Sequence, residues 1–254
     1  MKSPSQELRI IPISFADEIV PGDSIAEKLL QALADQKLKL IQGDILVVKH
    51  KIVSKAEGQL IELDSVHPSA ASRAWARRYN LDARVTEVAL AESNRIVRRK
   101  RGVLITETRH GFICANSGVD VSNVNGGSHA LLLPKYPDRS AARLHSELKT
   151  HLQISIPVII SDSFGRPWRE GLTEVAIGIA GMKPLHDYRG RSDSHGYPLR
   201  ITLEAVADEL ASAAGLVCGK LARTPACIIR GFAYEKDKGS GKNLIRPAKT
   251  DLFR

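Results

Sequence analysis

The sequence predicts a mixed α/β or α+β protein, folded as one domain from residue 8 to residue 254 of the 254-residue chain. Three observations carry that reading. Short β-branched apolar runs, at residues 45–48 and 158–160, have the length and composition of buried strands. Amphipathic stretches between them repeat their apolar residues at helical spacing. The two kinds of segment alternate without a regular strand–helix–strand rhythm, internal repeat or low-complexity linker, so no domain boundary is legible.

The elements follow in order. Residues 8–13 alternate enough for a short strand, and residues 16–22 form a loop. Asp23 or Ser24 then caps a helix that places Ile25, Leu29, Leu30 and Leu33 on one face. Gly43-Asp44 turns the chain into a β-branched run over residues 45–53, interrupted by Lys49, His50 and Lys51 and closed by a polar loop at residues 54–58. Helices are expected over residues 69–79 and 82–96. A hairpin with arms at 103–106 and 112–115 turns around His110-Gly111. Residues 116–128 are dense in turn formers and read as a loop. Asp138 opens a helix with Leu144, Leu148 and Leu152 on one stripe. A buried strand at 157–161 ends in Asp162-Ser163, a charged loop fills 164–171, and a strand of small residues alternating with Ile spans 175–180. The stretch 183–200 is rich in Gly, His, Asp and Arg and is expected to line a surface or a site. A helix at 201–214, a strand at 226–230 and a polar tail complete the chain.

Composition narrows the function. Lys plus Arg exceed Asp plus Glu by 37 to 28, a net charge of +9 that suits anionic partners. Aromatic residues are only 5% of the chain, which argues against a base-stacking surface for single-stranded nucleic acid. The first nine residues carry no apolar core of a secretory signal, and no apolar run approaches the length of a membrane span. Three cysteines without a CxxC pair do not make a disulfide framework or a structural zinc site, so a reducing cytoplasm is expected.

Several familiar motifs fail on spacing. Gly239-Ser240-Gly241-Lys242 lacks the upstream glycine of a P-loop and has Asn243 where Ser or Thr is required. Residues 215–220 place too few residues between their glycines to wrap a phosphate. No GxGxxG and no GxSxG occurs. His110 and Cys114 stand four apart, but on a hairpin they face no common metal.

Two aspartates remain in polar loops that directly follow strand-like runs, Asp120 in Asn116-Ser117-Gly118-Val119-Asp120 and Asp162 in Ile160-Ser161-Asp162-Ser163. Hard divalent ions are held by one or two such carboxylates, with phosphates and waters in the remaining positions. Asp120, Asp162 and the Ser163 hydroxyl supply that chemistry; each Asp would equally serve as an Asx-turn at a strand end. Lys55 offers a point charge to a phosphate, and Arg166 and Arg169 follow Asp162 closely enough to clamp another anion. The five basic residues in 95–101 read first as a solvated face.

At this level the sequence resembles the coenzyme F420-0:L-glutamate ligases in their stand-alone form. The resemblance rests on Gly43-Asp44-Ile45-Leu46-Val47-Val48 with Ser54-Lys55-Ala56-Glu57-Gly58, and on the loop from Ala115 to Val124. It also rests on Ile160-Ser161-Asp162-Ser163-Phe164-Gly165-Arg166 with Trp168-Arg169-Glu170-Gly171, on Asp187-Tyr188-Arg189-Gly190, on Ala205-Val206-Ala207-Asp208-Glu209, and on the closing Asp251-Leu252-Phe253-Arg254. The motifs occur in the family's order over nearly the whole chain. His50 stands where the family usually has Ser or Thr, Ser117 replaces a frequent Ala, and Ser163 keeps the hydroxyl of a common Thr.

The resemblance implies a two-lobed fold assembled as an intertwined homodimer. It implies addition of L-glutamate by γ-linkage to a deazaflavin, F420-0, with GTP converted to GDP through an acyl phosphate. Mn²⁺ or Mg²⁺, two ions in all, would be held by Asp120, Asp162 and Ser163, with K⁺ as a further activator. Nucleotide contacts would come from Ala16, Asp17, Glu18, Ile19, His50, Lys55, Asn123 and the segment of Cys218, Gly219 and Lys220; the catalytic group would be Asp162, Lys55 and Arg166. The expected partners are therefore GTP, L-glutamate, F420-0 and a second copy of the chain, with neither nucleic acid nor membrane. Two other readings fit the residues: a nucleotide- and metal-dependent enzyme of the same fold acting on another anion, and a basic nucleic-acid-binding protein tracking phosphates with residues 95–101.

Overall fold

The computed structural model describes residues 7–122, 125–219 and 221–252. In chain order its strands are β1 (Arg9–Ile13), β2 (Ile45–Lys49), β3 (Leu60–Glu62), β4 (Ser93–Lys100), β5 (Val103–Thr108), β6 (Ile113–Ala115), β7 (His129–Leu131), β8 (Val158–Arg166), β9 (Arg169–Ala180), β10 (His186–Asp187), β11 (Leu203–Glu204) and β12 (Ala226–Arg230). The α-helices are α1 (Ile25–Asp35), α2 (His50–Ala56), α3 (Ala70–Tyr79), α4 (Ala83–Ala91), α5 (Pro137–Leu152) and α6 (Val206–Cys218). Several helices and sheets make the class α+β.

A five-stranded sheet in the order β1–β12–β2–β8–β9 organises the core. Only β2 and β8 pair in parallel; the other neighbours are antiparallel. Strand alternation divides the apolar residues of β2 between two layers. Leu46 and Val48 join Leu29 and Leu33 of α1 and Leu144 and Leu148 of α5, whereas Ile45 and Val47 join Leu210, Ala211 and Ala214 of α6. Burial on both faces is why these strands read as continuous apolar runs in the sequence. Three smaller sheets, β4–β5–β6, β3–β7 and β10–β11, complete the strands. Leu63, Val88, Ala130 and Leu132 form a separate apolar cluster.

Ser24 caps α1 by accepting from the Glu27 N–H at 3.3 Å, and β12 occupies the span expected for it. Four boundaries differ from expectation. The run at 45–53 is not one strand: β2 stops at Lys49 and α2 starts at His50, because His50, Val53, Ser54 and Ala56 recur at helical spacing and are buried together. Packing there overrides the β-propensity of Ile52 and Val53. The helix expected to reach residue 96 ends at Ala91, and Ile96 pairs instead with Thr106 in the β4–β5 ladder. The charged segment 164–171 is no open loop but the end of the β8–β9 hairpin, turned at Trp168 with φ +56°. The helix expected from residue 201 begins at Val206, since Leu203 and Glu204 pair with Asp187 and His186.

Glycine has a packing role at Gly178. A Cβ there would lie 2.5 Å from the Pro137 carbonyl carbon, so β9 and the start of α5 meet only because that atom is missing.

Candidate functional site

The parallel strands β2 and β8 leave the core side by side, with Lys49 in register with Ser161. Just beyond that pair the chain opens a cavity of about 330 Å³. Five separated segments line it: residues 15–19, residues 49–55, the Asp120 turn, the 161–163 segment with its β9 neighbours, and the end of α6 with residues 223–225. Ala16, Asp17, Glu18, Ile19, His50, Lys55, Asp120, Asp162, Ser163, Cys218 and Gly219 therefore share one cavity. Asn123 and Lys220 lie outside the described residues, as do the last two residues of the closing motif. Arg166 does not line the cavity. It sits at the hairpin end and donates from Nη2 to the Glu170 carbonyl at 3.1 Å.

Asp120 is held by backbone pairing with Leu131 in both directions, at 3.0 and 2.8 Å. Its Oδ2 lies 2.6 Å from Lys51 Nζ, and its Oδ1 accepts from the Ser122 N–H at 2.7 Å. Burial raises its pKa, but the Lys51 and Ser122 hydrogen bonds outweigh that and hold the carboxyl below its ordinary value. Asp162 Oδ1 accepts from the Ser163 N–H at 2.7 Å and faces His50 Nε2 at 3.2 Å. The buried His50 places Nδ1 3.3 Å from Ser54 Oγ, within the same helix α2. Asp120 makes the i, i+2 bond of a turn residue. Asp162, expected in a loop after its strand, lies instead within β8 opposite Val175, because the β8–β9 ladder continues past it. Both aspartates line the cavity.

Three lysines reach the cavity, each against a carboxylate: Lys49 against Glu174 at 2.5 Å, Lys51 against Asp120, and Lys55 against Glu18 at 3.6 Å. Lys55 thereby joins α2 to the 16–19 loop. Sequence reasoning did not single out Lys49, Lys51, Ser161 or Glu174 as site residues. One signal was present: a lysine ending an otherwise buried strand needs a carboxylate partner, and Glu174 directly precedes the strand-like run at 175–180.

The oxygen donors expected for a divalent ion, Asp120, Asp162 and Ser163, all line this cavity. Among the described residues no group of three His, Cys, Asp or Glu converges tightly enough to hold a metal unaided. A site built on these two carboxylates and one hydroxyl would need water and substrate phosphate to complete an ion's shell.

The rejected motifs have structural roles. The Gly241 N–H donates to Asp138 Oδ1 at 2.7 Å and Ser240 Oγ donates to Asp138 Oδ2 at 2.6 Å, so this glycine segment binds a carboxylate of its own chain. His110 Nε2 lies 3.0 Å from the Pro134 carbonyl oxygen. The buried Cys114 thiol is pushed up to about 12 by burial and by the nearby Asp162 charge, which leaves it a poor metal ligand. The basic run of 95–101 lies on exposed strand β4 and the turn after it, with none of its residues at the cavity. No helix among the described residues is long and apolar enough to cross a membrane.

Comparison with known proteins gives a consistent result. The F420-0:Gamma-glutamyl ligase family profile matches residues 15–231, a span that includes every cavity-lining residue. A coenzyme F420:L-glutamate ligase of Methanopyrus kandleri is 43% identical over 97% of this chain and 98% of its own length. Enzymes of the same name from Methanothermobacter thermautotrophicus and Methanocaldococcus jannaschii are 44% and 43% identical, covering 92% and 84% of this chain and 93% and 85% of theirs. Similarity of this extent, spanning both strands and all five segments that build the cavity, shows that the chain belongs to the F420-0:gamma-glutamyl ligase family.

Proposed function

We propose that the chain is a ligase that adds L-glutamate by γ-linkage to the deazaflavin F420-0, driven by GTP and assisted by Mn²⁺ or Mg²⁺. The observation that carries this reading is the gathering of residues 16–19, His50, Lys55, Asp120, Asp162, Ser163 and Cys218 around one cavity, although they are spread over 200 residues of sequence. The family, named for F420-0 and a γ-glutamyl product, and its relatives, named for coenzyme F420 and L-glutamate, supply the acceptor and the amino acid.

The chemistry follows from the substrates. A carboxylate resists attack by an amine, so the γ-phosphoryl group of the nucleotide first converts the acceptor carboxylate to an acyl phosphate, and the glutamate amine then displaces phosphate. Asp120, Asp162 and Ser163 would hold the divalent ions, with K⁺ as a further activator, and the ions would supply positive charge against the phosphoryl oxygens. Lys55 meets a nucleotide phosphate as a point charge. His50 fixes the Asp162 carboxylate through the 3.2 Å contact, and the 16–19 loop and the Cys218 segment enclose the nucleotide. Arg166, at the hairpin end, guides an anionic substrate rather than touching the nucleotide.

The same reading takes residues 8–254 as one ligase unit with two lobes, working in the cytoplasm as an intertwined homodimer. Purified protein incubated with Mn²⁺, GTP, L-glutamate and F420-0 should release GDP and phosphate and increase the acceptor mass by one glutamyl unit. Absence of that product refutes the proposal. Sedimentation as a monomer at micromolar concentration removes the dimer alone.

A further inference from the structure

Glu174 is absent from the residues that the family resemblance points to, yet its bonding is unusually complete. On β9 it stands opposite Ser163 in the antiparallel ladder. Its Oε1 receives the Lys49 ammonium at 2.5 Å and the Ser163 hydroxyl; its Oε2 accepts from the Ser161 hydroxyl at 2.8 Å. The Glu174 carbonyl accepts from Ser212 Oγ of α6 at 2.8 Å, and a Cβ on Gly215 of the same helix would come within 2.8 Å of Glu174 Cγ. With its side chain only 8% exposed and both carboxylate oxygens engaged, Glu174 is held in place at the cavity wall.

This arrangement decides the polarity of Ser163. A hydroxyl has one proton and two lone pairs, whereas a carboxylate only accepts. Ser163 must therefore donate to Glu174, which leaves its lone pairs facing the cavity. Such an oxygen suits a cation and disfavours a direct contact with a phosphate oxygen, which needs a donor. Lys49 balances the Glu174 charge, so the cavity wall gains an oriented hydroxyl without a further net negative charge.

We infer that Glu174 is a positioning residue that holds Ser163 as an obligate acceptor toward a divalent cation bound together with nucleotide. The inference rests on the ligase reading only in assigning the cation to Ser163. Glu174→Gln keeps the side-chain shape but introduces an amide donor, which lets the Ser163 proton turn toward the cavity.

The test is a double-mutant cycle read by calorimetric GDP binding, with Mg²⁺ and with chelator, on wild type, Glu174→Gln, Ser163→Ala and the double variant. Each single variant should weaken Mg²⁺-dependent GDP binding about tenfold, the usual scale for loss of a ligand's supporting partner, and leave binding in chelator unchanged. The double variant should be no weaker than Ser163→Ala alone. If the charge left on Lys49 prevents Glu174→Gln from folding, Lys49→Met/Glu174→Gln removes both charges and should show the same loss and the same non-additivity with Ser163→Ala. Additive losses, or equal losses with chelator present, overturn the inference and leave the ligase reading intact. A wild-type protein with no Mg²⁺-dependent GDP binding overturns both.

Discussion

His50 Nε2 lies 3.2 Å from Asp162 Oδ1, linking the first residue of α2 to β8 at the point where both neighbouring strands have left the apolar core. The contact ties two segments more than a hundred residues apart and sets the Asp162 carboxylate at the cavity. Asp162→Asn retains an oxygen that can accept from His50 but removes the negative charge. If Asp162 holds the proposed ion, glutamate ligation should fall by about a hundredfold while the melting temperature stays close to that of wild type. Turnover near the wild-type level, measured at saturating Mn²⁺, leaves Asp162 only its structural place in the β8–β9 ladder.

A charge pair stands at the end of β2 opposite the cavity. Asp44 is fully buried and meets Arg230 twice, Oδ1 to Nε and Oδ2 to Nη2, both at 2.8 Å. Asp44→Ala leaves a partly buried guanidinium without its carboxylate and should cost about 3 kcal/mol. For a chain of this size that corresponds to a melting temperature lower by roughly 6–12 °C. Arg230→Met combined with Asp44→Leu should recover most of the loss. A melting curve of Asp44→Ala within two or three degrees of wild type (about 1 kcal/mol) contradicts the assignment.

Gly178 provides a steric test. Its missing Cβ makes room for the Pro137 carbonyl group, so Gly178→Ala should force α5 away from β9 and destabilise by about 1–3 kcal/mol, the usual range for overpacking. Denaturant titration should show a lower midpoint. An unchanged midpoint means that the helix start shifts without cost.

Asp208 carries a pH dependence. Burial raises its carboxyl above the ordinary value of 3.8, and the hydrogen bond from the Ala176 N–H at 2.8 Å offsets this only in part. A carboxyl with a raised folded-state pKa binds its proton more tightly in the native protein. Its contribution to stability is therefore full below 3.8 and is lost as pH rises through the folded-state value. Asp208→Asn keeps an acceptor for Ala176 and never pays that ionisation cost. The variant should melt higher than wild type at pH 7, and the gain should shrink as pH falls toward about 4. A difference that is constant with pH rules out ionisation as its cause.

Much of the site was legible because its signals are local. Asp120 and Asp162 announce themselves as carboxylates after strand-like runs, and Lys55 stands in a recognisable string of residues. Glu174 was not legible in this way. Its significance comes from Lys49 and Ser163, which reach it through strand pairing rather than through proximity in sequence.

The sequence by itself determined the fold class, the capped start of α1, strand β12, the anion-seeking charge and the family motifs, since these depend on composition, periodicity and turn chemistry within a few residues. Only the tertiary structure decided that residues 45–53 divide into strand and helix, that residues 93–100 form a strand, and that Arg166 stays outside the cavity while Glu174 enters it. Packing of His50, Val53, Ser54 and Ala56 against other elements outweighs the intrinsic preference of Ile52 and Val53 for a strand. Strand register, which no single segment encodes, sets Glu174 opposite Ser163.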